Sequence, residues 1–491
     1  MDSKNAITSK EMNAIDLNCE YFGLSRLQLM ENAGAQIASE IKRRFSSPKK
    51  ITIIAGRGNN GGDAFVAARH LKDFDVEVIL LGSAKDIKTE QAKINWNILK
   101  NIGLITLREI RDSKDLKPIN SDIIIDAIFG TGIRGVIRSL ESSAIDLINN
   151  SKSFIVSVDV PSGFDPDGIQ VPNKAVHSDL TITFHKTKVG LTKDLAKEYT
   201  KEISVVDIGI PKGAEYWLGP GDLKLLKTRK KESHKGNNGR VLIIGGGAYT
   251  GAPALSAIAA LRVGVDIATI ATPKSVSNVI ASFSPNLIVW RKQLSSEFLN
   301  RDDIPTLVEL IASHDVVVIG MGLGRARETI EAVKEILERN LCKKLVIDAD
   351  ALQALKGSLP LHSDAIITPH AGEFKKLSDI DLPENLKEKA EIVKEFSRKN
   401  KIVTLLKGPI DIISDGSLVK MNKTGNSAMT VGGTGDVLAG IVGALFCNND
   451  ALISACSAAF INGTAGDLAF EEFGNSLLAT DVIEKFTKVL K

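Results

Sequence analysis

Short runs of β-branched and other apolar residues recur through the first half of the chain: "ITIIAG" from Ile51, "VEVILLG" from Val76, "DIIIDAIFG" from Asp122, "FIVSVDVPSG" from Phe154 and "DLTITF" from Asp179. Between them lie amphipathic stretches such as "DAFVAARHLKD" and "EQAKINWNILKNIG". Near-continuous apolar strands alternating with helices predict a parallel sheet covered on both faces, a doubly wound α/β domain. Ligands in such sheets bind outside the carboxyl ends of the strands. The loops "GRGNNGGD", "GTGIRG" and "PSGFD" all fall there.

After "ISVVDIGIP" the alternation lapses into "KGAEYWLGPGDLKLLKTRKKESHKGNNG", which is basic, Gly-rich and without apolar periodicity. A domain boundary is placed there, at Pro220, giving domains over 1–220 and 221–491. A second α/β series follows: "RVLIIGGG", "VDIATIATP", "DVVVIGMGLG", "KLVIDADAL", "AIITPHAGEF", "IVTLLKG" and "DIISDG". The chain then turns helical, from "GDVLAGIVGALF" onward. No repeat relates the halves, so two unrelated α/β domains are expected. The segment from Val241 to Leu261 carries no charge, but it contains "GGGAYTGAP", which fits strand, turn and helix better than a membrane span.

Composition narrows the partners. The chain has 491 residues, 43% hydrophobic and 25% charged, as in soluble globular proteins of more than one domain. With 62 basic against 59 acidic residues the net charge is +3, which gives no reason to expect nucleic acid or an anionic membrane as partner. The cysteines Cys19, Cys342, Cys447 and Cys456 show no C-x-x-C spacing and read as reduced structural thiols. The N-terminal stretch has charges throughout and no apolar core of a signal peptide. A cytoplasmic protein is expected.

The candidate chemistry begins with Gly56, Gly58 and Gly61 in G-x-G-x-x-G spacing, with Glu77 at a distance suited to a ribose hydroxyl. Alone this suggests a hydride-transferring Rossmann domain. Three features argue against it: the polar Asn59, Asn60 and Asp63 in the loop, a second Gly-rich loop, and Asp159 just past a buried strand. A carboxylate at that position is either a turn cap or a functional group.

Taken together, "LMENAG", "GRGNNGGDAFVAARHL", "DAIFGTGIRG" and "VDVPSGFDPDG" resemble the NAD(P)H-hydrate epimerase family over nearly all of the chain up to about residue 215, with a Rossmann-like sheet. That family interconverts the R and S epimers of nicotinamide dinucleotides hydrated at C6. The resemblance implies that Asn59, Asn60, Gly61, Gly62 and Asp63 hold the dinucleotide. With them it places Gly130, Thr131, Gly132, Ile133, Arg134, Gly135 and Val136. Asp159 would be the acid/base, and Asn60, Asp126 and Ser162 would bind a potassium ion. One acid that becomes a base suffices for loss and re-addition of hydroxide.

In the second half, "TVGGTGDVLAG" puts Asp436 next to Gly432, Gly433 and Gly435, at the start of a buried helix. Free amides and a positive dipole end there make an anion site, so Asp436 is either a helix cap or a catalytic base. No G-x-x-x-x-G-K-[ST] occurs, which excludes a P-loop enzyme. The G-T-G-D loop resembles the ribokinase-like fold. "SHKGNNGRVLIIGGG", "TPHAGEF" and "GGTGDVLAG" resemble the ADP- or ATP-dependent NAD(P)H-hydrate dehydratase family within it. Its reaction phosphorylates the C6 hydroxyl and eliminates phosphate, a better leaving group than water.

The resemblance implies that Ala252, Gly322, Gly324, His370 and Asp436 contact the hydrate, with Asp436 taking the hydroxyl proton. Lys407, Gly408, Pro409, Ile410 and Asp411 would hold the nucleotide, with Asn426, Gly432, Gly433, Thr434 and Gly435. Met321 stands where the family pattern has proline, and Ser427 where proline is frequent. The expectation is a bifunctional metabolite-repair enzyme acting on NADHX and NADPHX. It would use ADP with magnesium, release AMP and phosphate, and form a homo-oligomer, because its apolar helices exceed one core's needs. The rivals are a kinase of a small hydroxylated metabolite and a non-catalytic nucleotide-binding module in the first half.

Overall fold

The apolar runs of the first half become a seven-stranded sheet in the computed structural model, which describes residues 6–46, 48–132, 135–168, 170–290, 294–295, 297–361 and 364–490. Its strands are β1 (Lys50–Ala55), β2 (Asp75–Leu81), β3 (Thr106–Ile110), β4 (Ile123–Ala127), β5 (Phe154–Val158), β6 (Ser178–Phe184) and β7 (Thr200–Val206). They are ordered β3-β2-β1-β4-β5-β6-β7, and every pairing is parallel. The strand order reverses between β1 and β4, which opens a crevice at their carboxyl ends. The sequence pattern does not mark β3: its "TLREI" is an edge strand, mostly uncovered and accordingly polar.

Two helices precede the sheet, Ser9–Tyr21 and Arg26–Arg44. Each begins with a capping box, Thr8 with Glu11 and Ser25 with Gln28. The first is anchored by Ile7, whose N–H donates to the Thr187 carbonyl (2.9 Å) and whose carbonyl accepts from Val189 (3.0 Å). The second crosses the helix Asn59–His70 so closely that a Cβ on Gly34 would lie 2.3 Å from that of Val66. This is why "LMENAG" ends in glycine.

The second series forms a nine-stranded sheet of β8 (Arg240–Ile244), β9 (Ile267–Ala271), β10 (Ile288–Trp290), β11 (Val316–Ile319), β12 (Lys344–Ile347), β13 (Asp364–Ile367), β14 (Val403–Leu406), β15 (Asp411–Ser414) and β16 (Val419–Asn422). The order is β10-β9-β8-β11-β12-β13-β14-β15-β16. Pairing is parallel up to β14, and β15 and β16 add antiparallel. The helix Thr434–Phe446 lies against Gly251–Val263, and a Cβ on Gly440 would meet the Ser256 carbonyl oxygen at 2.2 Å. The apolar residues of Thr434–Phe446 from Val437 on, and most of those of Ala451–Phe473, are buried within this unit, while Phe470 and Phe473 are exposed.

The chain divides into Met1–Ala214 and Glu215–Lys491. The division falls six residues before the boundary placed at Pro220, since 220 − 214 = 6. Trp217 pairs with Met421, and the Leu218 N–H donates to the Met421 carbonyl at 2.8 Å, so this stretch belongs to the second sheet. Met321, at the proline position of the resemblance, is fully buried in the second core.

Candidate active sites

In the first unit a cavity of about 820 Å³ opens at the carboxyl ends of β1, β4 and β5. Two glycines allow the chain to turn there. A Cβ on Gly56 would lie 2.0 Å from the Ile128 carbonyl oxygen, and one on Gly61 would lie 2.1 Å from that of Gly56. The helix Asn59–His70 then begins at Gly58 with no side-chain cap, leaving its positive end to the cavity. Asn59, Asn60, Asp63, Gly130, Thr131 and Gly132 all line it. Gly61 and Gly62 are buried in the same helix, and Val136 is exposed at 58%. Gly135 has φ 76°. Ile133 and Arg134 lie outside the described residues. Glu77 sits within β2 and accepts from Arg108 (3.1 Å), so it is not a ribose ligand at a strand's end.

Asp159 directly follows β5 with φ 67°, a left-handed conformation unusual for a non-glycine residue and frequent at functional sites. Its Oδ1 accepts from Lys188 Nζ at 2.7 Å and from Thr183 Oγ1 at 3.2 Å. Lys188 is only 1% exposed and also donates to Thr183 Oγ1 (3.1 Å) and the Phe184 carbonyl (3.0 Å). Two more carboxyls share the wall. Burial pushes Asp16 up to about 6, against the opposing pull of Lys188. Burial pushes Asp63 well above the carboxylate range, with Asp159 and Asp16 adding to it.

Asp126, at the end of β4, is fully buried and accepts from Ser162 Oγ (2.5 Å), Ser162 N (2.9 Å) and Ser157 Oγ (2.8 Å). Burial raises its carboxyl although these donors oppose the rise. Asn60 Nδ2 donates to the Phe129 carbonyl (3.0 Å), which also accepts from Ser162 Oγ (3.2 Å). The structure therefore brings Asn60, Asp126 and Ser162 together. A carboxylate, hydroxyl, amide and carbonyl form a hard oxygen set that suits an alkali cation, and the hydrogen-bond donors on Asp126 are all neutral.

In the second unit Asp436 stands in the first turn of Thr434–Phe446, whose N-cap Gly433 has φ 101°. Burial, with Asp348 and Asp350 nearby, pushes its carboxyl up to about 6, against the pull of Lys407. Lys407, just past β14, is held by Asp348 at the end of β12 (Nζ–Oδ1 2.7 Å). Burial alone would lower this ammonium; Asp348, Glu373 and Asp436 outweigh that and raise it. A Cβ on Gly435 would lie 3.5 Å from Lys407 Nζ, so the lysine overhangs the helix N-terminus.

His370 and Gly324 join this cluster. His370 pairs with Lys407 as an isolated bridge, and its Nδ1 accepts from the N–H of Gly372 (3.0 Å) and Glu373 (3.3 Å), so the ring caps the helix Ala371–Ser378. Gly324 N–H donates to Asp350 Oδ2 at 2.9 Å. Gly322 has φ 70°, and a Cβ there would meet the Tyr249 carbonyl oxygen at 2.5 Å. Ala252 opens the helix Gly251–Val263, which reaches the site through Ser256 Oγ donating to the Asp436 carbonyl (2.7 Å).

The remaining nucleotide candidates form an adjoining group. Gly408, Pro409 and Ile410 make the turn between β14 and β15. Gly408 N–H donates to Asp411 Oδ1 at 3.1 Å, and burial pushes the Asp411 carboxyl up to about 6. Asn426 is engaged in loop structure: its amide donates to Asp467 Oδ1 (3.0 Å), and its Oδ1 accepts from Ala428 N–H (3.1 Å). Thr434 Oγ1 donates to the Met429 carbonyl (2.7 Å), tying that loop to exposed Gly432 and to Gly433.

Sequence reasoning did not single out Asp16, Lys188, Asp348 or Asp350. Asp348 and Asp350 follow a strand in "IDADAL", the same signal that marked Asp159. Asp16 is a charge set among Met12, Ile15 and Cys19, the buried stripe of its helix.

Comparison with known proteins adds the following. A family described as NAD(P)H-hydrate dehydratase matches residues 241–488, and one described as YjeF-related protein N-terminus matches residues 26–190. The bifunctional NAD(P)H-hydrate repair enzyme Nnr of Archaeoglobus fulgidus is 48% identical over 485 residues, covering 99% of this chain and 98% of that one. Its namesake from Pyrobaculum aerophilum is 44% identical over 497 residues, covering 99% and 98%. The crystal structure of the ADP/ATP-dependent NAD(P)H-hydrate dehydratase of Bacillus subtilis, co-crystallised with ATP and Mg²⁺, is 28% identical. It has a TM-score of 0.46 and covers 55% of this chain and 95% of that one.

Proposed function

The chain belongs to the bifunctional NAD(P)H-hydrate repair enzymes, which pair an epimerase with an ADP/ATP-dependent dehydratase, and from that premise we propose how its two sites divide the work. The first unit equilibrates the R and S epimers of NADHX and NADPHX, with Asp159 moving the proton as hydroxide leaves C6 and returns. Asn59 to Asp63 and Gly130 to Val136 hold the dinucleotide. Asn60, Asp126 and Ser162 hold a potassium ion, which supplies fixed positive charge beside the bound substrate.

The second unit dehydrates the S epimer. Asp436 takes the C6 hydroxyl proton as that oxygen attacks the terminal phosphorus of ADP. The ring nitrogen's lone pair then expels phosphate to give an N1=C6 iminium, and loss of a C5 proton to the departing phosphate restores NAD(P)H, leaving AMP and free phosphate. Ala252, Gly322, Gly324 and His370 position the hydrate. Lys407 to Asp411, Asn426 and Gly432 to Gly435 position the nucleotide, with magnesium arriving on its phosphates. The reaction takes place in the cytoplasm, where its substrates form.

The observation that carries this reading is Lys407 lying over Gly435 and beside Asp436 at a helix N-terminus. Cation, free amides and base then converge where a transferred phosphoryl group would sit. The test is incubation with mixed NADPH hydrates and ADP or ATP, following recovery of NADPH absorbance. Recovery of both epimers with ADP is expected. Stoichiometric phosphorylated product without NADPH would make the protein a small-molecule kinase instead.

A further inference from the structure

Asp16 lines the same cavity as Asp159 but reaches it from a different part of the chain, the helix Ser9–Tyr21. Its neighbours on that helix face, Met12, Ile15 and Cys19, are buried, so the carboxyl is placed where an ion is poorly solvated. Among the described residues it makes no hydrogen bond and no ion pair. The groups that act on it electrostatically are Lys188, Asp159 and Arg26, and it acts in turn on Asp63 and Cys19. Asp159 differs: one of its oxygens already accepts from both Lys188 and Thr183.

Hydroxide leaves C6 as water once protonated, and its return to the other face needs a base, so two proton-carrying carboxyls in one cavity can divide the two half-steps. We infer that Asp16 is a second proton-carrying residue of epimerisation, paired in function with Asp159. The inference rests on reading this cavity as the epimerase site. Asp16 gives its proton to the C6 hydroxyl; the C–O bond breaks, water departs, and the N1 lone pair closes the N1=C6 bond. Water then adds to C6, its pair of electrons forming the new C–O bond as N1 recovers its lone pair, and the surplus proton passes to the Asp159 carboxylate. Return passage exchanges the two roles. Burial sets Asp16 at about 6, close to the working pH, as efficient proton transfer requires. Burial also raises the Asp63 carboxyl, with Asp159 and Asp16 adding to the rise.

The decisive measurement is the rate of R–S interconversion, followed by chromatographic separation of the epimers, as a function of pH. The wild-type rate should hold below pH about 6 and fall as pH rises past it, because the protonated form of Asp16 is the active one. Asp16→Asn should lower the rate by on the order of 10²-fold and abolish that limb. Arg26→Gln removes a cation that lowers Asp16, so the limb should move to higher pH. Asp16→Asn with wild-type rate and limb would overturn the inference. If that variant fails to fold, an unmoved limb in Arg26→Gln overturns it instead. A wild type that does not accelerate interconversion at all would remove the epimerase reading itself, a separate outcome.

Discussion

Each unit sets an aspartate at the end of a parallel strand and holds a lysine against it at 2.7 Å, Asp159 with Lys188 and Asp348 with Lys407. The pairs look alike, and the proposed function uses them differently. In the first unit the lysine-bound carboxylate itself faces the cavity. In the second the proposed base is Asp436, which among the described residues has no lysine bonded to it and sits on a helix instead of a strand end. A buried ion pair therefore does not identify the working carboxylate. The informative quantity is how each neighbouring acid is poised, and in each unit a carboxyl without an ion-pair partner among the described residues has been pushed by burial to about 6.

The strongest way to break this comparison is Asp436→Asn. The glycine backbone and helix N-terminus remain, so nucleotide affinity should persist, while dehydration should fall by on the order of 10²–10⁴-fold. Full activity would make Asp436 a helix cap, since asparagine caps as well as aspartate. Asp159→Asn is the companion experiment. It should slow epimerisation by on the order of 10²–10⁴-fold and leave S-epimer dehydration unchanged. Loss of both activities in either variant would mean that the two sites are not separable.

The pH dependence sharpens the contrast. Asp436 must be ionised to accept a proton, so dehydration should drop about tenfold per unit as pH falls below about 6. Asp16 must be protonated to donate one, so epimerisation should drop as pH rises past about 6. Two activities of one chain should thus fail at opposite ends of the scale. Parallel profiles would show that at least one of these carboxyls has been given the wrong role.

Much of this was readable in advance because parallel strands buried on both faces must be near-continuous apolar runs, and loops at their carboxyl ends carry chemistry. β1, β4, β5 and β12 follow from that rule, and with them Asp159 and, by the same reasoning left unused, Asp348, whereas Asp126 came from the family resemblance. β3, β10 and β16 did not: the outermost strands are short or polar because one edge has no partner to satisfy. Lys188 and Asp16 were hidden for a different reason. Lys188 meets Asp159 from the loop after β6, and the segment that carries Asp16 docks there through Ile7 along Lys188, a contact between residues 181 apart in sequence (188 − 7) that no local pattern encodes. A charge inside the apolar stripe of Ser9–Tyr21 was the one visible trace.

The smallest expected effect concerns His370, where structure and resemblance assign different work to one ring. Its Nδ1 accepts two backbone amides at the start of Ala371–Ser378, a cap, while 59% of the side chain remains exposed beside Lys407. Because Nδ1 is an acceptor, the neutral ring carries its proton on Nε2, which lies 3.3 Å from Glu373 Oε1. The cap therefore fixes the tautomer and sets the Nε2 donor beside the Glu373 carboxylate. Asparagine caps helices well, so His370→Asn should alter thermal stability by no more than a few tenths of a kcal/mol. It has no group at the Nε2 position, so the KM for the S hydrate should rise about tenfold, equivalent to roughly 1.4 kcal/mol, with kcat little changed. A stable variant with an unaltered KM would leave His370 as a cap alone, and hydrate positioning would then rest on Gly322, Gly324 and Ala252.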